Sequence, residues 1–229
     1  MLSLNSNSFR RDYLDACLAK NLIFFKGNVL DIGGKKKNYR GKFIPPFSQV
    51  DSWKYLNTDK NSEPDYYCDA EKIPLEDRVI DTIIMTEVLE YLPNPDKVFL
   101  EAHRVLKNNG HFLISTPLFN PIHGDHLEDR TRFTTIALKE MSILAGFEVQ
   151  SIEAMGSVGA VIYDILRVAT GYASKKEKST VSGVLLRFFR PFFSLMDKTC
   201  KSQKNFINTG YFLILKKTPS LKPNFSKLL

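Results

Sequence analysis

Three short runs in the first part of this chain each carry apolar residues up to an aspartate, and that repetition constrains the fold more than any other feature. The first is Val29-Leu30-Asp31-Ile32, followed at once by Gly33 and Gly34. Val29, Leu30 and Ile32 suit a parallel strand buried on both faces, and the two glycines let the backbone turn sharply at its carboxyl end. In open α/β sheets the ligand crevice lies at that end. Asp31 then stands at the crevice mouth, placed to accept hydrogen bonds from a cationic or donor-rich ligand; a plain turn aspartate is the alternative. Residues 55–59 read as a second strand ending in Asp59, and 65–70 as a third ending at Asp69. A carboxylate after the second strand can bind both hydroxyls of a ribose, and an acceptor after the third can take an adenine amino group.

The alternation of strand and helix continues downstream. Residues 81–85 form a fourth strand around Ile83-Ile84-Met85, with Glu87 just beyond it over the crevice, or alternatively acting as a helix-start carboxylate. Asn94 and Pro95 open a helix as N-cap and first residue; Val98, Ala102, Val105 and Leu106 form its buried stripe, and Gly110 is its expected stop. Strands at 111–115, 147–152 and 211–215 and a helix over 135–145 complete an α/β pattern. At the amino end Phe9, Tyr13 and Cys17, with Leu14 and Leu18, give a helix within residues 1–27 that covers the sheet or the crevice. Lys35, Lys36 and Lys37 are unfavourable at a helix N-terminus, so the chain is expected to run on as a loop after the glycines.

Taken together, Val29-Leu30-Asp31-Ile32-Gly33-Gly34, Asp59, and the stretches 69–75, 81–95 and 105–111 resemble the class I S-adenosylmethionine-dependent methyltransferases, and among them the type 11 group. The resemblance implies a Rossmann-like, seven-stranded, mostly parallel sheet with an antiparallel last strand. It also implies S-adenosyl-L-methionine as cofactor, bound by Asp31, Gly33, Gly34, Asp59, Asp69, Ala70 and Glu87. Lys35 departs from the pattern, because the family usually carries a further glycine there; the loop is bulkier and more basic.

The stretch 116–134 is long, irregular and crowded with His123, Asp125, His126, Glu128, Asp129, Arg130 and Arg132. Following a strand at the carboxyl edge, it is placed to act as a lid. Methylation of a hydroxyl requires that its proton leave as the new bond forms, and a neutral imidazole or a carboxylate can accept it. His123 is the candidate base, with Asp129 orienting it or sharing the role and Arg132 holding the lid or an anionic part of the acceptor. Two alternatives are a simple Asp129–Arg132 pair at i, i+3 and a divalent metal held by the lid's histidines and acids; no metal is assigned. The prolines, His123 and Asp129-x-x-Arg132-Phe133-Thr134 resemble type 11 members from polysaccharide and lipopolysaccharide biosynthesis, which implies a saccharide or lipid-linked glycan acceptor.

With 229 residues and 43% hydrophobic content, the chain reads as one domain. A net charge of +7 favours an anionic partner, or is simply a solvated basic surface. Nucleic acid is a poor candidate, since no Asn/Asp-Pro-Pro-Tyr/Phe-type motif is present. A nicotinamide dehydrogenase is disfavoured by the absence of G-x-G-x-x-G after the first strand. Three widely spaced cysteines and no secretory leader point to reduced thiols in a cytoplasm. No apolar run approaches the ~20 residues a membrane-spanning helix needs, so a peripheral position on the inner membrane face is the closest membrane role expected. An insertion at 156–209 is read as two helices, 159–168 and 181–196, the second bent at Pro191. Its aromatic and basic segment 181–196 suits core packing, a homodimer contact, an acceptor-pocket wall or a membrane surface. Residues 218–229 form a tail.

Overall fold

The computed structural model describes residues 8–36, 41–122, 129–170 and 181–224. Seven strands form one sheet: β1 (Asn28–Ile32), β2 (Ser52–Asn57), β3 (Tyr66–Tyr67), β4 (Ile80–Thr86), β5 (Leu106–Pro117), β6 (Phe147–Met155) and β7 (Gly210–Lys217). Their spatial order is β3-β2-β1-β4-β5-β7-β6. The first five pair in parallel, and β7 lies antiparallel between β5 and β6. Six helices accompany them among the described residues: α1 (Phe9–Lys20), α2 (Pro95–Val105), α3 (Thr135–Leu144), α4 (Val158–Ala169), α5 (Val181–Phe188) and α6 (Arg190–Thr199).

The apolar strands feed two cores by alternation, as a period of two requires. Leu30, Ile32, Ile83, Met85, Phe112 and Ile114 pack on one face with Val98, Phe99 and Ala102 of α2 and Leu138 of α3. Val29, Ile84, Leu113, Phe212 and Ile214 pack on the other with Leu14, Cys17 and Leu18 of α1. Each of the Val, Leu, Ile, Met and Phe side chains among them, removed from water, contributes roughly 1.5 to 3 kcal/mol. Double-sided burial of the strands also fixes where their carboxyl ends fall, and with them the crevice at the reversal of strand order between β1 and β4.

Several expectations are corrected. Helix α2 ends at Val105 rather than at Gly110, and β5 begins at Leu106. The left-handed turn falls on Asn109 (φ 64), while Gly110 lies inside β5, where a Cβ would sit 2.9 Å from the backbone oxygens of Asp81 and Lys107. That glycine serves a close backbone approach. Asn94 occupies the N-cap position but makes no side-chain cap; its amide donates to Glu71 at 2.8 Å instead. β3 is only two residues long, so Asp69 follows it in a turn. The second insertion helix is two, α5 and α6, interrupted at Phe189 with Pro191 in the first turn of α6. Between β1 and β2 no α-helix occurs among the described residues, in keeping with the lysines that follow the glycines.

Candidate active site

A cavity of about 520 Å³ opens at the carboxyl ends of β1, β2 and β4. Asp31, Gly33, Gly34, Asp59, Asp69, Ala70 and Glu87 all line it, joined by Lys35, Asn57, Tyr91 and Arg130. Its volume is within the range of small-molecule sites.

The floor is built by the turn after β1. Gly33 has φ +81, and a Cβ there would overlap Val88 at 2.3 Å; only glycine meets both demands. A Cβ on Gly34 would fall 2.3 to 2.5 Å from the Asp31 carboxyl group, so its absence makes room for that carboxyl. Asp31 accepts a hydrogen bond from Trp53 Nε1 at 3.3 Å. Burial pushes its pKa up to about 7, against the smaller lowering effect of the indole. Its carboxyl thus lacks a positive partner among the described residues, and a ligand cation would relieve it. Trp53 was not anticipated; β2 starts at Ser52 rather than at Tyr55, and the register pairs Trp53 with Val29, beside Asp31.

Asn57 is a second unanticipated residue. Its amide donates to the Gly34 carbonyl at 3.0 Å, and its oxygen accepts from the Asp59 N–H at 2.9 Å, so it ties the turn after β1 to the turn after β2. Asp59 caps a short 3-10 turn by accepting from Asn61 N at 2.9 Å, and Lys35 Nζ stands 3.4 Å from its other oxygen. The backbone donor first, and Lys35 with it, hold this exposed carboxyl below the usual range. Asp69 accepts from the Glu71 N–H at 2.9 Å next to buried Ala70.

Glu87 closes the opposite side. It is no helix-start residue: its φ of 57 is left-handed, a strained conformation of the kind found at functional sites. Its N–H donates to the Ser115 carbonyl at 3.0 Å, and Ser115 Oγ donates to its carboxylate at 2.7 Å. Arg10 of α1 reaches over to form a buried ion pair with it. Desolvation lowers the Arg10 guanidinium to about 10, opposed chiefly by the charge of buried Glu90.

Of the candidate catalytic residues, His123 lies outside the described residues, as do its neighbours through Glu128. Asp129 and Arg132 form a two-pronged ion pair, one arm at 2.7 Å, in which the Asp129 side chain is completely buried. Neither lines the cavity. Arg132 Nη2 also donates to the Asn120 carbonyl at 3.4 Å, which joins the two stems of the lid. The lid's second stem is fastened below as well, since the N–H groups of Arg130 and Thr131 donate to the Glu90 carbonyl at 2.9 and 3.2 Å. The remaining histidines, His103 and His111, are pushed down to about 4 by burial and sit away from the cavity.

Residues 48–114 match the family described as the methyltransferase domain. A curated relative, the malonyl-acyl-carrier-protein O-methyltransferase of Geobacter sulfurreducens, is 28% identical over 136 residues, 50% of this chain and 51% of the relative. The chain thus spans about half the length of that relative. A putative sarcosine dimethylglycine methyltransferase from Galdieria sulphuraria superposes with a TM-score of 0.57 at 16% identity, covering 91% of this chain and 85% of that one. Geranyl diphosphate C-methyltransferase from Streptomyces coelicolor, solved with S-adenosyl-L-homocysteine, gives 0.58 at 11% identity over 90% and 77%. A 4+2 cyclase, SpnF, gives 0.55 at 17% identity over 90% and 80%, which shows that the fold by itself does not fix the reaction. The chain therefore carries a methyltransferase-domain match at residues 48–114, on the Rossmann-like fold of the class I S-adenosylmethionine-dependent methyltransferases.

Proposed function

We propose that this protein is an S-adenosylmethionine-dependent methyltransferase that methylates a hydroxyl of a saccharide or a lipid-linked glycan intermediate. The observation that carries the cofactor reading is the cavity itself, in which Asp31, Asp59 and Asp69 project from three successive strand ends around a glycine turn. The residues fit the group: a carboxyl with a raised pKa, held by the Trp53 indole and by no cation among the described residues, suits an ammonium, and the exposed Asp59 suits a ribose diol. When bound, the cofactor supplies an electrophilic methyl group on a sulfonium.

In this reading Asp31 holds the amino group, Asp59 the ribose hydroxyls, and the turn at Asp69-Ala70 the adenine. Glu87 walls the cavity on the side of α1, and Arg10 holds it there from outside the wall. His123 takes the acceptor proton, and the Asp129–Arg132 pair positions the lid that bears it, because it fastens the lid stem to Asn120. The acceptor class rests on the lid's resemblance to glycan-modifying members. A reducing cytoplasm is the setting, in keeping with three free thiols.

A second acceptor is favoured by Arg11 and Arg130 in the cavity wall, which suit a carboxylate or phosphate beside the methylated oxygen. The Geobacter sulfurreducens relative is named for O-methylation of malonyl-acyl-carrier protein, a reaction on an acidic acceptor. Calorimetry with cofactor and with its demethylated product tests the reading. The wild type binds, Asp59→Ala weakens binding about tenfold or more, and His123→Ala keeps affinity while lowering turnover ~100-fold. Failure of the wild type to bind at millimolar cofactor removes the enzyme reading, and product analysis with glycan or acyl-thioester acceptors separates the two substrates.

A further inference from the structure

Helices α5 and α6 turn one side inward and leave the other bare. Inward, Leu186 and Phe193 pack with Tyr163 of α4, and Asp197 is buried. Outward, Leu185 and Phe188 of α5, Phe189 at the junction, and Phe192 and Leu195 of α6 are exposed, each three residues from the next apart from the adjacent Phe188 and Phe189, which gives each helix an apolar edge on its outer side. Phe188 is 77% exposed, Phe192 60% and Leu195 62%. Packing onto the parent domain therefore accounts for Phe193 but not for these side chains, and contiguous exposed aromatics mark an interaction surface.

The charges beside the stripe decide what covers it. From 181 to 204 the one acid is Asp197, and it is consumed inside the fold by Ser157 and Ala160. Arg190 is engaged by Asp12, but Arg187, Lys198 and Lys201 lie next to the stripe along the chain and make no ion pair among the described residues. The rim is thus cationic. A second copy of the chain meeting this face about a twofold axis would bring those cations together, whereas an anionic lipid surface complements them. None of the described helices is long and apolar enough to cross a bilayer, so the contact is interfacial.

We propose that the α5–α6 face is a membrane-docking surface, in which the exposed phenylalanines enter the interface of an anionic bilayer and the flanking lysines and Arg187 meet its headgroups. This does not depend on the reaction catalysed. It gives the enzyme access to an acceptor carried on a lipid, and the docked face is connected to the cavity: α6 clamps α4, α4 holds the start of α1, and Arg10 of α1 pairs with Glu87 in the cavity wall.

Flotation of the full chain with vesicles of phosphatidylcholine, alone or mixed with phosphatidylglycerol, tests it at low and high salt. The wild type should float with the anionic vesicles at low salt, and high salt or neutral vesicles should lower bound protein about tenfold or more. Phe188→Ser with Phe192→Ser, and separately Lys198→Glu with Lys201→Glu, should each lose binding while keeping the wild-type melting temperature and cofactor affinity. The proposal is overturned if the wild type stays unbound on anionic vesicles at low salt, or if both variants bind as the wild type does. It is equally overturned if sedimentation shows a concentration-dependent mass that the phenylalanine variant abolishes, since a second copy then covers the face.

Discussion

The floor and the roof of the cavity are held in different ways. On the floor, Asp31, the two glycines, Asn57 and Asp59 are fixed by strand ends and by hydrogen bonds that span at most 23 residues of chain. The roof is α1, which lends Arg11, Asp15 and Leu18 to the cavity wall and is held from behind by the insertion through bonds that reach across most of the sequence. Asp164 of α4 accepts from the N–H groups of Phe9 and Arg10 at 2.8 and 3.0 Å, satisfying the start of α1. Asp197 of α6 accepts from Ser157 N at 2.7 Å and Ala160 N at 2.9 Å at the start of α4, and from the Tyr13 hydroxyl. Arg190 lies over the Phe9 ring at 4.5 Å while pairing with Asp12. The floor thus follows from topology, whereas the roof depends on a few buried carboxylates, each capping a helix brought from far away.

The sharpest way to break this contrast is Asp197→Ala. It strips the Ser157 and Ala160 N–H groups and the Ser157 and Tyr13 hydroxyls of a carboxylate acceptor, and hydrogen bonds to charged groups contribute about 1.5 to 3 kcal/mol each. Loss of at least ~3 kcal/mol of unfolding free energy in urea is expected, with Asp197→Asn recovering part of it. A loss below ~0.5 kcal/mol would show that apolar packing of α4 on α6 holds the roof without the carboxylate. Close packing is also present, since a Cβ on Gly159 would lie 2.4 Å from the Phe193 carbonyl oxygen and 2.5 Å from Asp197 N.

On the floor the test is pH. The Asp31 carboxyl titrates near 7 in the folded protein, against an ordinary value of 3.8. The folded state therefore keeps a proton that the unfolded chain releases, and this group's contribution to stability is complete below about pH 4 and lost as pH rises toward about 7. Asp31→Asn should flatten that slope in urea melts. A cationic ligand group reverses the preference, because it stabilises the ionised carboxyl. Cofactor affinity should accordingly rise between about pH 5 and about pH 7, with proton release measurable in buffers of different ionisation enthalpy, and Asp31→Asn should abolish both. A pH-independent affinity in the wild type would separate Asp31 from the ligand cation.

The same contrast explains what was legible in the sequence. The strand end at Asp31 could be placed because burial on both faces makes β1 a continuous apolar run, and a crevice follows from a parallel sheet; β2 and β3, with exposed Lys54 and Tyr67, stop short of Asp59 and Asp69, which lie in the turns beyond them. The limits of elements failed where backbone pairing overrides local signals: Gly110 has the look of a helix stop, yet β5 captures the chain from Leu106. Trp53 and Asn57 were hidden because their partners, Asp31 and Gly34, come from a neighbouring strand end and not from a local pattern. The roof was least legible. Nothing near Asp164 or Asp197 in sequence tells which helix start each will cap, and Arg10 reads as one more basic residue in a polar terminus until Glu87 is found opposite it. Asp129 and Arg132 show the converse, since their i, i+3 spacing alone permits the pair that forms.

The smallest effect expected on the floor concerns Lys35, where the family pattern has glycine. Its ammonium stands 3.4 Å from the Asp59 carboxylate, and both side chains are substantially exposed. Such a pair adds little to stability, and salt weakens it. It does, however, occupy the oxygen that a ribose hydroxyl would approach. Lys35→Gly should leave the melting temperature unchanged and tighten cofactor binding by about twofold to fivefold at low salt, with the difference shrinking as salt rises. The opposite result, weaker binding in Lys35→Gly that persists in high salt, would mean that the lysine contacts the bound ligand directly. The departure from the family would then belong to recognition and not to a competing ion pair.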